Sequence, residues 1–340
     1  MGLFGLGKTQ IPYGMFDWER DVEDAKRFAR CERIYHLGQD LAWDGKDILA
    51  SLLAQHGGIH LAPEKREALK TVFAIIMWGE LAAWKISAQL ADRLVPLEAK
   101  MAATSQAHDE ARHFYTMYDY LGELGYQPVR LHPAPQALLD AVLEADQLAY
   151  KLVGMQLMVE TMALSLFQGV RESGVEPVLC ELLTYYERDE ARHVGLGVQY
   201  LPELMRSMNR LEVLRLSAFQ VRLLTYALWE TKLIEKDLAV LGIEPRTLID
   251  RARRKQMAAM QQGLELVGLP VDRDDNFINR GVDAGIEYFF PREAGTARRE
   301  RVRAAFRRFR DGSQERFGAE QFAVHEAHRI RTARGARAVP

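Results

Sequence analysis

The chain has 340 residues, 48% of them apolar and 27% charged, with a net charge of -2. This is an ordinary globular composition, and the near-neutral balance argues against a polybasic nucleic-acid or acidic-membrane binder. Two isolated cysteines, Cys31 and Cys180, exclude a disulfide framework and a four-cysteine metal centre, so a reducing cytoplasm is the expected setting.

The first sixteen residues lack a secretory pattern. Gly2 does not open a myristoylation signal, because Leu6 stands where Ser or Thr is needed. No uncharged apolar run reaches spanning length, so no membrane span is expected; the longest run, residues 71–84, is interrupted by Glu80. Residues 17–44 are predicted as one helix, with Ile34, Leu37 and Leu41 at helical spacing. Gly57-Gly58 breaks the chain, and Pro63 opens a long helix that runs to about Leu94. Pro96 restarts a helix that fades at Gly122 and Gly125. Pro128, Pro133 and Pro135 mark the longest crossover, and a third helix is predicted from about Gln136 to Arg171. Gly174 and Pro177 punctuate it before a fourth helix that runs to about Leu201. Short, long and short connections are those of two antiparallel hairpins joined by one crossover in a helical bundle. Strand and hairpin signals are scarce.

Beyond Pro202, helices are predicted over residues 211–241 and 245–267, followed by a polar loop over 272–276. Arg298, Arg299, Arg301, Arg303, Arg307, Arg308 and Arg310 cluster at helical density, as a solvated face or as a surface for an anionic ligand or partner. His325 and His328 have the wrong spacing for a zinc-protease helix and read as surface.

One word occurs twice in this frame. Asp109-Glu110-Ala111-Arg112-His113 returns 80 positions later as Asp189-Glu190-Ala191-Arg192-His193. Residues three apart share a helix face, so each copy points one carboxylate and one imidazole the same way. No other Glu-x-x-His occurs. Glu80 returns as Glu160 at the same offset, each 30 residues before its Glu-x-x-His. Tyr120-Leu121 and Tyr200-Leu201 extend the repeat downstream.

Glu80 and Glu160 stand among apolar neighbours nearly all round their helices, the pattern of a buried helix. An ionised carboxylate there is costly unless it is paired or holds a metal. Four carboxylates and two neutral imidazoles balance two divalent cations, and oxygen with imidazole donors suits iron or manganese. The expected ligands are Glu80, Glu110, His113, Glu160, Glu190 and His193.

Asp109 and Asp189 are placed to hold the outer ring nitrogen of a histidine, either their own or that of the other repeat. Arg112 and Arg192 pair with these acids or reach solvent. Tyr186 and Gln106 are repeat mates one turn before Glu190 and Glu110. Tyr186 is an electron or hydrogen-bond donor at the site, or a core tyrosine with a satisfied hydroxyl. Gln156 is a candidate polar pocket group. Gly195 and Gly197 leave room for a ligand or for close helix packing.

The pattern Glu80, Glu110-x-x-His113, Glu160, Glu190-x-x-His193 resembles the ferritin-like di-iron carboxylate superfamily over about residues 63–204. Length and helical extensions resemble the ribonucleotide reductase small subunit and its related ligand-binding oxidases. The resemblance implies an all-α, ferritin-like four-helix bundle. Its parts are an N-terminal helical arm (1–62), a di-metal core (63–241) and a C-terminal helical extension (242–340). Met117 stands where the radical-generating subunit has Tyr, and Ala82 and Met155 stand where the ligand-binding oxidases form a Val–Tyr crosslink. Leu164 stands where monooxygenase hydroxylases place a Thr.

What the resemblance implies is an oxidoreductase with two iron ions, or one manganese and one iron. It would activate O2 to oxidise or oxygenate a small, largely apolar molecule, with room for an external electron donor, in a homodimer that binds no nucleic acid. The apolar lining is expected from Phe73, Ile76, Met77, Trp84, Leu164 and Phe167. The alternatives are a radical-storing subunit and an iron-binding ferroxidase.

Overall fold

The computed structural model describes residues 18–266, 277–293 and 295–312. Every element among them is helical, and no strand is present. The elements are α1 (Trp18–Arg27), α2 (Ala29–Asp40), α3 (Gly45–His56), α4 (Pro63–Arg93), α5 (Leu97–Glu123), α6 (Pro133–Leu143), α7 (Leu148–Leu152), a π-helical stretch (Val153–Val159), α8 (Glu160–Ser173), α9 (Pro177–Arg206), α10 (Arg210–Leu233), α11 (Glu235–Val240), α12 (Pro245–Leu266), α13 (Phe277–Phe289) and α14 (Arg298–Asp311). The predicted loop at 272–276 and the His325 and His328 pair lie outside the described residues.

The bundle is two antiparallel hairpins, α4 with α5 and α8 with α9, brought together where α5 meets α9. Each starts cleanly. Pro63 and Pro177 occupy the first turns of α4 and α9, where a missing N–H costs nothing. Glu176 caps α9 by accepting from the Val178 and Leu179 amides at 3.1 and 2.7 Å. Buried Tyr120 of α5 donates to the same carboxylate at 3.1 Å, which ties one hairpin to the other.

Four predicted spans are corrected. Residues 17–44 form two helices, bent at Phe28, which leaves helical geometry (φ -106, ψ 20) as its ring packs 5.6 Å from Tyr200. The third helix does not start at Gln136. Pro133 opens the separate crossover helix α6, and the bundle helix begins only at Leu148. The corner between them is fixed by buried Lys151, whose ammonium donates to the last carbonyls of α6, Val142 and Leu143, at 3.2 and 2.9 Å. Residues 211–241 divide into α10 and α11 at Ile234, and α9 runs through Pro202 to Arg206.

Apolar side chains pack in two layers. One holds Leu69, Phe73, Met77, Met117, Phe167, Leu182 and Tyr186. The other holds Ile86, Leu90, Ala102, Leu152, Leu157, Leu196 and Leu201. Along each bundle helix the sequence passes from one layer to the other through Glu80, Glu110, Glu160 or Glu190. The acids therefore form a polar stratum at mid-height. One helix, α4, is long and apolar enough to cross a membrane by length and composition, yet it serves as a core helix of the bundle and carries Glu80 into that stratum.

Flanking helices cover two sides. Helices α2 and α3 pack on α5 and α9, while α10 and α11 lie against α6 and α4, and α12 lies against α8 and α9. Gly38 permits one close approach: a Cβ there would meet the Ser105 hydroxyl at 2.1 Å.

Candidate metal centre

Each hairpin delivers one Glu from its first helix and a Glu-x-x-His face from its second. All six side chains are buried, with Glu110, His113 and Glu190 fully inaccessible. They form two overlapping sets of potential ligands: Glu80, Glu110, His113 and Glu190, and Glu110, Glu160, Glu190 and His193. Within each set one ligand atom per residue lies within 4.8 Å of the others. Glu110 and Glu190 belong to both sets, which is the arrangement of carboxylates shared between two cations.

The imidazoles face inward through Nδ1. His193 Nδ1 is 2.9 Å from Glu190 and 3.0 Å from Glu110. His113 Nδ1 sits 3.1 Å from Glu190, 3.4 Å from Glu80 and 3.5 Å from Glu110. None of these contacts gives His113 Nδ1 hydrogen-bond geometry, and Glu110 Oε2 and Glu190 Oε1 are also buried without a hydrogen bond. Orphaned donor atoms that converge on one point are what a cation would satisfy. Hard oxygens with imidazole nitrogens fit iron or manganese.

Protons take the cation's part when none is bound. Burial, with Glu190 nearby, raises the Glu80 and Glu160 carboxyls well above their usual range. Burial alone would lower both imidazoles. Asp189, Glu110 and Glu190 outweigh it at His113, as Glu110, Glu190 and Asp109 do at His193, and both are held well above the usual value. Burial opposes ionisation of Glu110 and Glu190 too, yet the adjacent histidines keep both carboxyls low.

The outer ring nitrogens are held across the repeat. His113 Nε2 lies 3.2 Å from Asp189, and His193 Nε2 lies 3.3 Å from Asp109. Donation from Nε2–H leaves Nδ1 as the lone-pair nitrogen whenever the ring is neutral. Arg112 bridges Asp109 and Asp189 at 2.5 and 2.9 Å, and Arg192 pairs with both at 2.9 Å. Two acids and two guanidiniums, all buried, thus close a neutral ring. The crosswise arrangement and the pairing of both arginines inside the protein resolve the alternatives left open by the sequence.

Trp43 completes this side. Its Nε1–H donates to Asp189 at 2.6 Å, and the Arg112 guanidinium lies 4.8 Å from its ring. Nothing near Trp43 in the sequence points to the repeat 70 residues away. Tyr186 stacks on His113 with ring centroids 4.2 Å apart and donates its hydroxyl to the His113 carbonyl at 2.7 Å. It borders the centre with its hydroxyl already satisfied. Gln156 donates to Gln106 at 3.1 Å, and Gln106 donates to Glu110 and Glu160 at 3.0 Å each. Gln156 therefore reaches the centre through a second amide and does not face the cleft. Gly197 serves close packing: a Cβ there would meet the Gln156 Cβ at 2.7 Å.

On the opposite side Glu80 and Glu160 line an apolar cleft. Its walls come from α4, α6, the π-helical stretch, α8, α10, α12 and α13, with Ile76, Leu138, Met158, Leu224 and Ile249 among them. Of the six residues expected to line it, only Ile76 does so. Phe73, Met77, Leu164 and Phe167 are buried in the bundle layers, and Trp84 is 40% exposed. An all-round apolar helix does not reveal which of its faces meets a void.

No protein-family model and no curated protein matches the chain. Solved structures match in fold. A Synechococcus protein with aldehyde deformylating oxidase activity aligns with a TM-score of 0.52 at 17% identity, over 59% of this chain and 92% of that one. An R2-like ligand-binding oxidase with an aerobically reconstituted Mn/Fe cofactor aligns at 0.54 and 16% identity, over 68% and 92%. A variant R2-like ligand-binding oxidase with an Fe/Fe cofactor aligns at 0.53 and 17%, over 68% and 92%. The chain thus has an all-α, ferritin-like fold, with a buried Glu and His cluster at its centre.

Proposed function

We propose that the protein is a non-haem di-iron, or manganese–iron, oxidase that uses O2 to oxidise a small, largely apolar organic molecule. The observation that supports this most is the overlap of two buried ligand sets through Glu110 and Glu190, with Glu80 and Glu160 opening onto an apolar cleft. A redox metal pair held there supplies electrons to O2 and oxidising power to a substrate.

The protein's own part is positioning and exclusion. Asp189 and Asp109 fix the ring planes of His113 and His193, and the Arg112 and Arg192 ring keeps those acids ionised. Gln106 holds one oxygen of Glu110 and one of Glu160, which orients the two carboxylates on the cleft side. The walls keep bulk water from the reacting region. Where a substrate gives up two of the four electrons that take O2 to water, an external donor supplies the other two.

The test is elemental analysis of the purified protein, followed by O2 consumption by the ferrous-loaded protein with and without candidate apolar substrates. About two metal ions per chain and substrate-stimulated O2 uptake are expected. A chain that takes up no redox metal sinks the proposal. One observation favours a radical-storing role instead, the stacking of Tyr186 on His113. A stable organic radical by electron paramagnetic resonance after oxygen exposure, absent in Tyr186→Phe, selects that reading.

A further inference from the structure

The cleft has few polar groups outside the centre, and most are already committed. Thr161 donates to the carbonyls of Leu157 and Met158 at 2.7 and 3.0 Å, and Thr231 to that of Ala227 at 2.8 Å. Arg253 donates to Asn279 at 2.6 Å and lies 3.7 Å from Asp283. Two side chains that line the cleft have no partner among the described residues. One is Gln256 of α12; the other is Glu230 of α10. Near Glu230 in the chain, Ala227, Leu228 and Ile234 also line the cleft, with Thr231 already bonded to its own helix.

An acid in such a wall is costly unless something arrives to compensate it. Among the described residues nothing does so. Burial alone pushes the Glu230 carboxyl up to about 7, with no neighbouring charge or hydrogen bond acting against it. Two divalent cations would neutralise the four carboxylates of the centre, so among the described residues Glu230 is the one uncompensated acid that lines the cleft. Glu230 is itself only half-buried, so its carboxyl stays within reach of a molecule that enters the cleft.

We propose that the cleft binds an alkyl or arylalkyl amine, with its ammonium group on the Glu230 carboxylate and its apolar body along the wall that ends at Glu80 and Glu160. This rests on reading the cleft as the substrate site of the oxidase proposed above. An ionised carboxylate only accepts hydrogen bonds, so it prefers a charged donor. An alcohol offers one hydrogen bond and no charge compensation. A fatty acid brings a second negative charge and binds only once a proton is taken up. Gln256, with a donor and an acceptor, tolerates any of these and adds no selectivity.

The test is calorimetric titration of the full chain, metal-free and after anaerobic loading with ferrous iron, with octylamine, octanol and octanoate below their micellar concentrations. Octylamine should bind on the order of 10-fold tighter than octanol, the strength of one charge-assisted hydrogen bond, and octanoate weakest. Glu230→Gln and Glu230→Leu should each remove the preference for the amine, and octanoate should gain. Equal affinity of the wild-type chain for octylamine and octanol overturns the inference and needs no variant. Retention of the preference in Glu230→Gln also overturns it. Metal uptake is measured on the same samples. A selective amine site in a chain that takes up no iron refutes the oxidase alone, and an iron-loaded chain indifferent to the head group refutes the amine site alone.

Discussion

The two flanks of the polar stratum differ in kind. On the α2 and α3 side, every charge has an opposite charge within hydrogen-bond reach: Asp109, Asp189, Arg112, Arg192 and the outer nitrogens of both histidines, with Trp43 as a lid. On the α10 and α12 side, an apolar void meets Glu80 and Glu160, and Glu230 stands without a partner among the described residues. The difference teaches a division of labour. One flank is saturated and so specifies a single geometry; the other is unsaturated and so has something to offer a ligand.

The comparison breaks most completely at the shared acids. Replacing Glu110 or Glu190 with Ala should reduce bound metal from about two ions per chain towards none, whereas Glu160→Ala should spare one ion; elemental analysis decides. If Glu160→Ala is as severe, the two sets are not separable.

On the saturated flank, Asp189→Ala strands the outer nitrogen of His113 and the Trp43 indole, and leaves Arg112 and Arg192 to share Asp109 alone. Loss of one partner from a buried ionic group costs roughly 3–5 kcal/mol, readable by denaturant unfolding of the metal-free chain. A loss below about 1 kcal/mol would show that the ring contributes little to the fold.

A pH titration sharpens the contrast further. His113 and His193 have raised values when folded, so their contribution to metal-free stability is complete below the unfolded imidazole value. It is lost as pH rises through the higher folded value. Glu80 and Glu160, also raised, act in the same sense from the unfolded carboxyl value upward. The melting temperature of the metal-free chain should therefore fall as pH rises from about 6.5, and metal loading should abolish that slope while releasing protons. A metal-free chain that gains stability over that range contradicts the assignment.

The smallest effect is expected from Trp43→Phe, which keeps an aromatic face over Arg112 but removes the donor to Asp189. A cost of about 1–3 kcal/mol should appear in unfolding, with metal stoichiometry unchanged. Loss of metal in this variant would place Trp43 among the essential supports of His113.

How much of this was legible in the sequence follows from where each signal lies. The six centre residues share one offset along the chain, so local helix geometry and duplication were enough to collect them. The crosswise Asp and His pairing depended on how the hairpins face each other, which spacing leaves open. Pro133 looked like part of a loop because the same residue breaks a helix interior and begins a helix. Trp43, in the connection between α2 and α3, and Glu230, on α10, lie outside the repeat and carry no mark in their neighbours. The cleft lining was misassigned because α4 is apolar on several faces, and only the packing of α10 and α12 decides which one stays uncovered.

The π-helical stretch Val153–Val159 has a further meaning for the duplication. Each such turn takes in an extra residue, so the second hairpin runs out of phase with the first just upstream of Glu160. Ile76 and Gln156 are 80 positions apart and align by counting, yet the first lines the cleft while the second is fully buried and bonded to Gln106. A near-symmetric ligand set is thereby given two unlike approaches. Deleting one residue from that stretch would turn the preceding helix by about a third of a revolution and restore the symmetry that the molecule has abandoned.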